Sequence, residues 1–148
     1  PMTAIRRAEV TWAGDLTSGS GTIDTVTSGA FAGLPVTWAS RTGAADGRTS
    51  PEELVAAAHA SCFAMAFSAR LGRAGHPAER LSVSAEVTFD KTDAGWKVAS
   101  SALTVRGVVP GMAEADFVSE AEAARDGCPI CGALMGNVEL SVDAALVS

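Results

Sequence analysis

The stretch "TSPEELVAAAHASCFAMAFSARL", Thr49 to Leu71, decides the fold because it predicts one long helix with almost no polar face. Ser50 is a favourable N-cap, and Pro51 suits the first helical position, where its missing N–H costs nothing. Glu53, three residues after Ser50, completes the sequence pattern of a capping box. The glycines and the proline of "LGRAGHP" then end the helix.

The segments around this helix predict strands and two further helices. Strands are indicated by alternating, β-branched sequence in "AEVTWAGD", and by short runs between glycine turns in "SGSGTIDTVTSGAFAGLPVTWAS". A loop, "RTGAADGRTS", precedes the apolar helix. A hairpin joins "LSVSAEVTFDK" to "GWKVASSALTVRGVVP" through "TDAG", and a last strand follows in "NVELSVDAALV". This order predicts an α+β fold in one domain spanning residues 1–148.

Two helices are expected between the hairpin and the last strand. The spacing in "GMAEADFVSEAEAARDG" predicts a helix that ends at Gly127. Its expected inward positions are Met112, Ala115, Phe117 and Ala121. The segment "CPICGALMG" suits a short helix with Pro129 at its first position.

The apolar helix predicts a second copy of the chain. A helix that is apolar all round must be covered on every side. One curved sheet covers one side, and a single domain of this size leaves little chain for the other. We therefore expect a homodimer whose central helices pack against each other between two sheets.

Composition and charge exclude several classes of partner. The chain has 148 residues, of which 47% are hydrophobic and 19% charged, so a core can form without disulfides. The net charge of −6 comes from scattered acidic residues, and no basic cluster indicates nucleic acid or an anionic membrane as a partner. The nearly apolar run 54–67 has 14 residues, too few to span a bilayer. "PMTAIRRAEV" has no long apolar core and no cleavage site, so we expect no signal peptide, a cytoplasmic location, and Pro1 to be a cloning remnant.

The cysteines are the candidate reactive groups. Their odd number, three, without an export signal, argues against a structural disulfide framework. Cys62 has Ala58 and Ala66 as its i−4 and i+4 neighbours, and these small residues leave room above its sulfur for another chain or a small ligand. The alternative is an inert core thiol, since free cysteine is among the most buried residue types.

The pair "CPIC" carries the other two thiols. Cys128 precedes Pro129 at an expected helix N-cap, where the helix dipole and free N–H groups favour a thiolate; the alternative is a structural cap alone. Cys131 completes a C-x-x-C spacing, which occurs in redox dithiols and in half zinc sites. The remaining soft ligands show no zinc-ligand spacing, and thioredoxin-like folds carry this motif near the N-terminus. We therefore expect no metal.

Two residues of the long helix allow both a functional and a structural interpretation. His59, three residues before Cys62, could activate it as a Cys–His couple, or it could be a core histidine with a hydrogen-bonded ring. Glu52 has no structural task beyond favouring the helix dipole, so it is available to hold an arginine.

The motifs together resemble the Ohr/OsmC family, and within it the OsmC branch, a group of thiol-dependent peroxidases that act on organic hydroperoxides. The resemblance rests on "SPEELVAAAHASCFAMAFSARL", "CPICGAL" and "VELSVDAAL", and it extends to "VTWAGDLTSGSGTI", "FDKTDAGWKV" and "VVPGM". It implies an intertwined α+β homodimer, with curved, antiparallel-rich sheets wrapped around two central buried helices. It also implies a role in oxidative and osmotic stress defence.

The resemblance implies a role for four residues. Cys62 would attack the peroxide, and Cys128 would resolve the resulting sulfenic acid as a Cys62–Cys128 disulfide. Arg41, in "WASRTG", would lie beside the reactive thiol, and Glu52 would hold that arginine. No cofactor is implied, and an external dithiol, which the resemblance suggests to be a dihydrolipoyl group on a carrier protein, would reduce the disulfide.

One position departs from the family pattern. The family usually has serine or another residue without a thiol at the position of Cys131, so this thiol could compete for the sulfenic acid or exchange with Cys128. The apolar residues around Cys62, which include Phe63, Met65 and Phe67, favour alkyl or lipid hydroperoxides over hydrogen peroxide. Two alternatives stay open: a non-catalytic protein that binds a small ligand, and a metal-binding or redox-sensing module that uses "CPIC".

Overall fold

The structure, a computed structural model, describes residues 2–148, so Pro1 and its interpretation as a cloning remnant lie outside the described residues. Its elements, in chain order, are β1 (Ala8–Ala13), β2 (Ser20–Val26), β3 (Ala32–Val36), α1 (Trp38–Thr42), α2 (Pro51–Arg73), β4 (Arg80–Thr92), β5 (Gly95–Val108), α3 (Glu114–Gly127), α4 (Pro129–Leu134) and β6 (Glu139–Leu146). The α+β class is confirmed. Two compact units divide the chain, the first ending at Leu54 and the second beginning at Val55. The expectation of a single domain stays a prediction.

The first unit contains an antiparallel sheet in the order β1-β2-β3. Ile23, in the central strand, pairs with Val10 on one side and Leu34 on the other, and it is buried. Gly21 has to be glycine because a Cβ there would lie 2.7 Å from the Trp12 ring. The sheet follows the strands predicted from the glycine-punctuated sequence.

The end of this unit differs from the prediction. "TWAS" was expected to continue a strand and Arg41 to lie in a loop, but Trp38–Thr42 is a short helix. The reason is a capping box, in which the Thr37 hydroxyl accepts a bond from the Ser40 N–H at 3.0 Å and Ser40 Oγ accepts one from the Thr37 N–H at 3.0 Å. Thr37, whose branched side chain favours strands, here caps a helix. Arg41 therefore lies in a helical last turn.

The long helix α2 begins where the sequence predicts. Ser50 Oγ accepts a hydrogen bond from the Glu53 N–H at 3.1 Å. The reciprocal half of the predicted box is replaced, because the Glu53 carboxylate accepts a bond from the Thr49 hydroxyl at 2.9 Å. The helix ends at Arg73, and Gly75 takes a left-handed conformation at φ 83° just beyond it.

The second unit contains a mixed sheet in the order β4-β5-β6. β4 and β5 form the predicted antiparallel hairpin, whereas β6 pairs with β5 in parallel after a crossover through α3 and α4. Three of the four strand pairings in the two sheets are antiparallel, which agrees with the expected antiparallel-rich sheets.

The core of this unit is formed by the helices and the central strand. One face of α2 buries a row of residues at i, i+4 spacing, and α3, β5 and the start of α4 supply the rest. The fully buried members are His59, Phe63, Phe67, Leu71, Ser101, Leu103, Val105, Phe117, Ala121, Ala124, Cys128 and Cys131. The rings of Phe67 and Phe117 lie 5.0 Å apart between centroids. Phe63 and Phe67 therefore lie in the core.

The prediction of the inward-facing positions in α3 is partly wrong. Phe117 and Ala121 are fully buried, as predicted. Ala115 is exposed, and the half-buried Met112 lies before the helix, which begins at Glu114. The buried face instead continues to Ala124, because 117, 121 and 124 follow one helical stripe.

Within the second unit, the opposite face of α2 is exposed. Met65 is 71% exposed, and 22% of the most apolar window of the helix is buried. With 23 residues and a mean hydropathy of 1.4 in that window, α2 could cross a membrane by length and composition alone, a test that core helices of soluble proteins also pass. The cytoplasmic location stays a prediction.

Candidate active site

The three thiols lie together in the second unit. Cys62 is half-buried on α2, and Cys128 and Cys131 are fully buried at the start of α4. Cys128 is the C-cap of α3, where its N–H donates a hydrogen bond to the Ala124 carbonyl oxygen at 2.9 Å. It is also the N-cap of α4, where its Sγ accepts a hydrogen bond from the Cys131 N–H at 3.3 Å. The predicted N-cap is therefore present.

Cys128 is the central member of the three. Burial by itself raises the pKa of the Cys128 thiol, whereas hydrogen bonds from the Cys131 and Cys62 side chains lower it. The N–H groups of Cys131 and Ile130 act in the same direction. The net effect is a lowered pKa, because each of these donors stabilises the thiolate. The structure thus brings Cys62 and Cys128, far apart in sequence, into contact.

Cys62 has the opposite tendency. Burial raises the pKa of its thiol, and the neighbouring Cys128 raises it further, while the Ile130 N–H opposes both. A raised pKa lowers the fraction of Cys62 that is present as the thiolate, which is the nucleophilic form. Burial also raises the pKa of Cys131 far above its ordinary value, and negative charge at Cys128 and Cys62 adds to the effect.

His59 is a core histidine with both ring nitrogens engaged. It is fully buried, its Nδ1 lies 2.6 Å from Ser101 Oγ, and its Nε2 lies 3.0 Å from Cys131 Sγ. Burial lowers the pKa of the imidazole, so the ring is neutral at neutral pH. His59 is therefore a core histidine with a hydrogen-bonded ring, and its thiol partner is Cys131, whereas the sequence hypothesis paired it with Cys62.

Ser101 belongs to this cluster but was not among the residues predicted from the sequence. It lies on the same face of β5 as Leu103 and Val105, and all three are fully buried. A buried hydroxyl on an apolar strand face requires a hydrogen-bond partner. A serine in line with Leu103 and Val105 was therefore the one sequence signal that could have indicated this contact.

The first unit contains the arginine and the glutamate that the resemblance pairs. Arg41 Nε donates to Glu52 Oε1 at 3.0 Å and Oε2 at 3.1 Å, and Nη2 donates to Oε1 at 2.8 Å. The Glu52 residue is 7% exposed, and the guanidinium carbon lies 5.9 Å from the centroid of the Trp38 ring. Several charge-assisted bonds fix the direction of the guanidinium.

A mostly apolar groove of about 400 Å³ adjoins this ion pair within the same unit. Its lining includes Trp12, Leu16, Val36, Trp38 and Arg41. The groove places aromatic and aliphatic surface beside a fixed positive charge, which suits a molecule with an apolar body and a polar end.

Metal ligation was the remaining question for the thiols. Within residues 2–148, no group of three or more histidine, cysteine, aspartate or glutamate side chains is arranged to hold a metal ion. The catalytic roles assigned to Cys62, Cys128, Arg41 and Glu52 stay predictions at this stage.

Comparisons with known proteins give a consistent result. The sequence profile of the family described as OsmC-like protein matches residues 43–143. Peroxiredoxin OsmC of Escherichia coli strain K12 is 37% identical over 139 residues, 94% of this chain and 96% of that protein. The organic hydroperoxide resistance protein of Xanthomonas axonopodis pv. citri is 30% identical over 106 residues, 70% of this chain and 71% of that protein.

Solved structures share the fold. The organic hydroperoxide resistance protein OhrB of Bacillus subtilis superposes with a TM-score of 0.71 at 24% identity, covering 93% of this chain and 97% of that chain. An organic hydroperoxide resistance protein OsmC from Legionella pneumophila gives a TM-score of 0.69 at 23% identity, covering 97% and 99%.

Proposed function

We propose that this chain is a thiol-dependent peroxidase that reduces organic hydroperoxides to alcohols. The chain belongs to the OsmC-like protein family. Relatives named Peroxiredoxin OsmC and organic hydroperoxide resistance protein support a peroxidase with a role in stress defence. The observation that carries the proposal is the contact between the Cys62 and Cys128 thiols beside the start of α4.

The proposed reaction begins at Cys62. Its thiolate attacks one oxygen of the hydroperoxide, the O–O bond breaks, and the alkoxide leaves and takes up a proton to become the alcohol. Cys62 is left as a sulfenic acid. The Cys128 thiolate, stabilised by the N–H groups at the start of α4, then attacks the Cys62 sulfur and forms the Cys62–Cys128 disulfide. The S–O bond of the sulfenic acid breaks, and the hydroxide leaves and takes up a proton from solvent to become water.

Arg41 supplies the charge that Cys62 requires in this scheme. Guanidinium stays protonated at every working pH, and Glu52 fixes its direction through three hydrogen bonds. Arg41 thereby favours the Cys62 thiolate against the effect of burial, and it stabilises negative charge on the departing alkoxide. The adjoining groove, rich in tryptophan and aliphatic carbon, suits the organic part of the substrate.

Recycling requires two electrons from outside the chain. A dithiol reduces the disulfide by exchange, because the second thiol of the reductant resolves the mixed disulfide within one molecule. A dihydrolipoyl group on a carrier protein is the reductant that we propose.

Pre-steady-state consumption tests the proposal. The reduced protein, freed of reductant, should consume cumene hydroperoxide in a rapid burst, and hydrogen peroxide much more slowly, because only the organic substrate has an apolar body for the groove. A protein that only binds a small ligand would consume neither. Absence of a burst would overturn the proposed function in favour of that alternative.

We also propose that the uncovered face of α2 packs against a second copy of the chain. This face consists mostly of alanines, with Ser61 and Ser68 among them. It exposes 71% of Met65, which is unusual for a large apolar side chain at the centre of a helix. Two such faces in contact would bury each other, as the expected central helices of the homodimer require.

Met65→Glu should weaken this dimer by at least about tenfold in Kd, because it places a charge in an apolar interface. Light scattering during gel filtration measures the mass over a dilution series. Met2→Glu makes the same change at a residue that is 98% exposed, so it should leave the mass unchanged. An exclusively monomeric unmodified protein would contradict the dimer.

A further inference from the structure

We propose that Cys131 is a third redox-active residue, which attacks Cys128 in the Cys62–Cys128 disulfide, forms a Cys128–Cys131 disulfide and returns Cys62 to its thiol. This inference rests on the proposed peroxidase function. It assigns a task to the one buried thiol that the two-cysteine scheme leaves unused.

The start of α4 places Cys131 against the sulfur that it would attack. Cys128 is the N-cap and Cys131 the third helical residue, and the Cys131 N–H donates to Cys128 Sγ at 3.3 Å. The Cys131 side chain also hydrogen-bonds to the Cys128 thiol. Cys128 therefore has a thiol on each side, Cys62 from α2 and Cys131 from its own helix. Cys128 can therefore form a disulfide with either neighbour without a thiol from outside the cluster.

His59 provides the base that the exchange needs. A neutral thiol attacks a disulfide poorly, so Cys131 has to lose its proton. His59 Nε2 lies 3.0 Å from Cys131 Sγ, and its Nδ1 lies 2.6 Å from Ser101 Oγ. When the ring proton is on Nδ1 and donated to Ser101, the lone pair of Nε2 faces the Cys131 thiol and can accept its proton.

The first disulfide itself prepares Cys131 for attack. In the reduced protein, negative charge at Cys128 and Cys62 adds to burial in raising the pKa of Cys131. A Cys62–Cys128 disulfide carries no charge, so both of these contributions disappear when it forms. Cys131 then becomes easier to ionise at the moment when its attack is productive, and it stays protonated before that.

The exchange step balances without a further oxidant. Cys131 gives its proton to His59, and its sulfur forms a bond to Cys128 Sγ. The Cys62–Cys128 bond breaks, and its electron pair leaves on Cys62 as a thiolate. The proton on His59 is released to Cys62 or to solvent. The external dithiol then reduces the Cys128–Cys131 disulfide, while Cys62 is already able to react with a second hydroperoxide.

The test counts the hydroperoxide that one chain consumes. The full chain is reduced, freed of reductant, and given an excess of cumene hydroperoxide with dimedone present to trap sulfenic acid. The wild type should consume about two molecules per chain, and peptide mapping should find Cys128 joined to Cys131 and dimedone on Cys62. Cys131→Ser should consume about one and retain a Cys62–Cys128 disulfide, because its Cys62 is not released.

The outcomes separate this inference from the proposed function. A wild type that consumes about one molecule and keeps the Cys62–Cys128 disulfide overturns the relay and leaves the peroxidase intact. Consumption of about two molecules by Cys131→Ser also overturns it. No consumption by the wild type overturns the proposed function itself. The wild-type peptide map decides the question even where the variant fails to fold.

His59→Gln distinguishes a base from a packing residue. Glutamine can hydrogen-bond to Cys131 and Ser101 but cannot take up a proton at neutral pH. The variant should slow the appearance of the Cys128–Cys131 disulfide by about 10²-fold, while the Cys62–Cys128 disulfide still forms first. An exchange rate equal to that of the wild type would remove His59 from the scheme.

Discussion

Cys62→Ser is expected to abolish hydroperoxide reduction, lowering the rate of cumene hydroperoxide consumption by about 10³-fold or more. A serine hydroxyl is not ionised near neutral pH and attacks an O–O bond poorly, so no other group in the cluster replaces the sulfur. Cys128 has a lowered pKa, but it is fully buried at the start of α4, where a hydroperoxide cannot reach it without a rearrangement. Consumption is measured with an external dithiol in excess.

Cys128→Ser is the matched comparison for this change. It removes the resolving thiol and leaves the attacking one, so it should permit a single oxidation, which dimedone traps on Cys62. Thermal unfolding of both variants checks that they fold. Sustained turnover by Cys62→Ser would show that a different residue attacks the peroxide.

Arg41→Ala is expected to lower the rate of Cys62 oxidation by about 10²- to 10³-fold, the usual effect of removing a fixed donor from developing charge. Burial raises the pKa of Cys62, and in the proposed scheme the guanidinium opposes that shift. Without the guanidinium, the fraction of Cys62 present as thiolate at neutral pH falls. The midpoint of the pH dependence of the Cys62 alkylation rate therefore moves to higher pH. Mass spectrometry of iodoacetamide-treated protein follows Cys62 separately from the other two thiols.

Arg48→Ala is a control from the same part of the chain. Arg48 pairs with Asp46 at 3.5 Å through exposed side chains, so its removal changes the net charge equally and should alter the alkylation rate less than about twofold. Arg41→Lys retains the charge but loses the forked contact with Glu52. Its Cys62 alkylation rate should lie between the rates of Arg41→Ala and Arg48→Ala. An unchanged alkylation profile in Arg41→Ala would remove Arg41 from the site.

Local signals in the sequence were sufficient for much of the fold. The Ser50–Pro51 start of α2 and the Cys128–Pro129 start of α4 are each specified by neighbouring residues, so both helices begin as predicted. The five-residue helix α1 was missed because it is too short to show a helical period. Only the Thr37–Ser40 capping box reveals it, and Thr37 had been interpreted as a strand residue.

The candidate site could be predicted only in part, because local sequence patterns do not specify contacts between residues far apart in the chain. Glu52 was identified as free to hold an arginine because its neighbour Glu53 already had a capping role. The contacts of His59 join it to residues 42 and 72 positions away, and no local pattern specifies such pairs. Helical spacing had favoured Cys62 as its partner, but His59 shares the buried stripe of α2 with Phe63 and therefore faces the core, where Cys131 lies.

The most direct test of the central claim, that Cys62 attacks and Cys128 resolves, uses Cys131→Ser protein, in which the proposed relay cannot operate. Reduced protein is treated with one equivalent of cumene hydroperoxide, and its disulfides are mapped by mass spectrometry under non-reducing conditions. We expect a disulfide between Cys62 and Cys128 within one chain. A stable Cys62 sulfenic acid beside a free Cys128 thiol, or both thiols unoxidised, would contradict it.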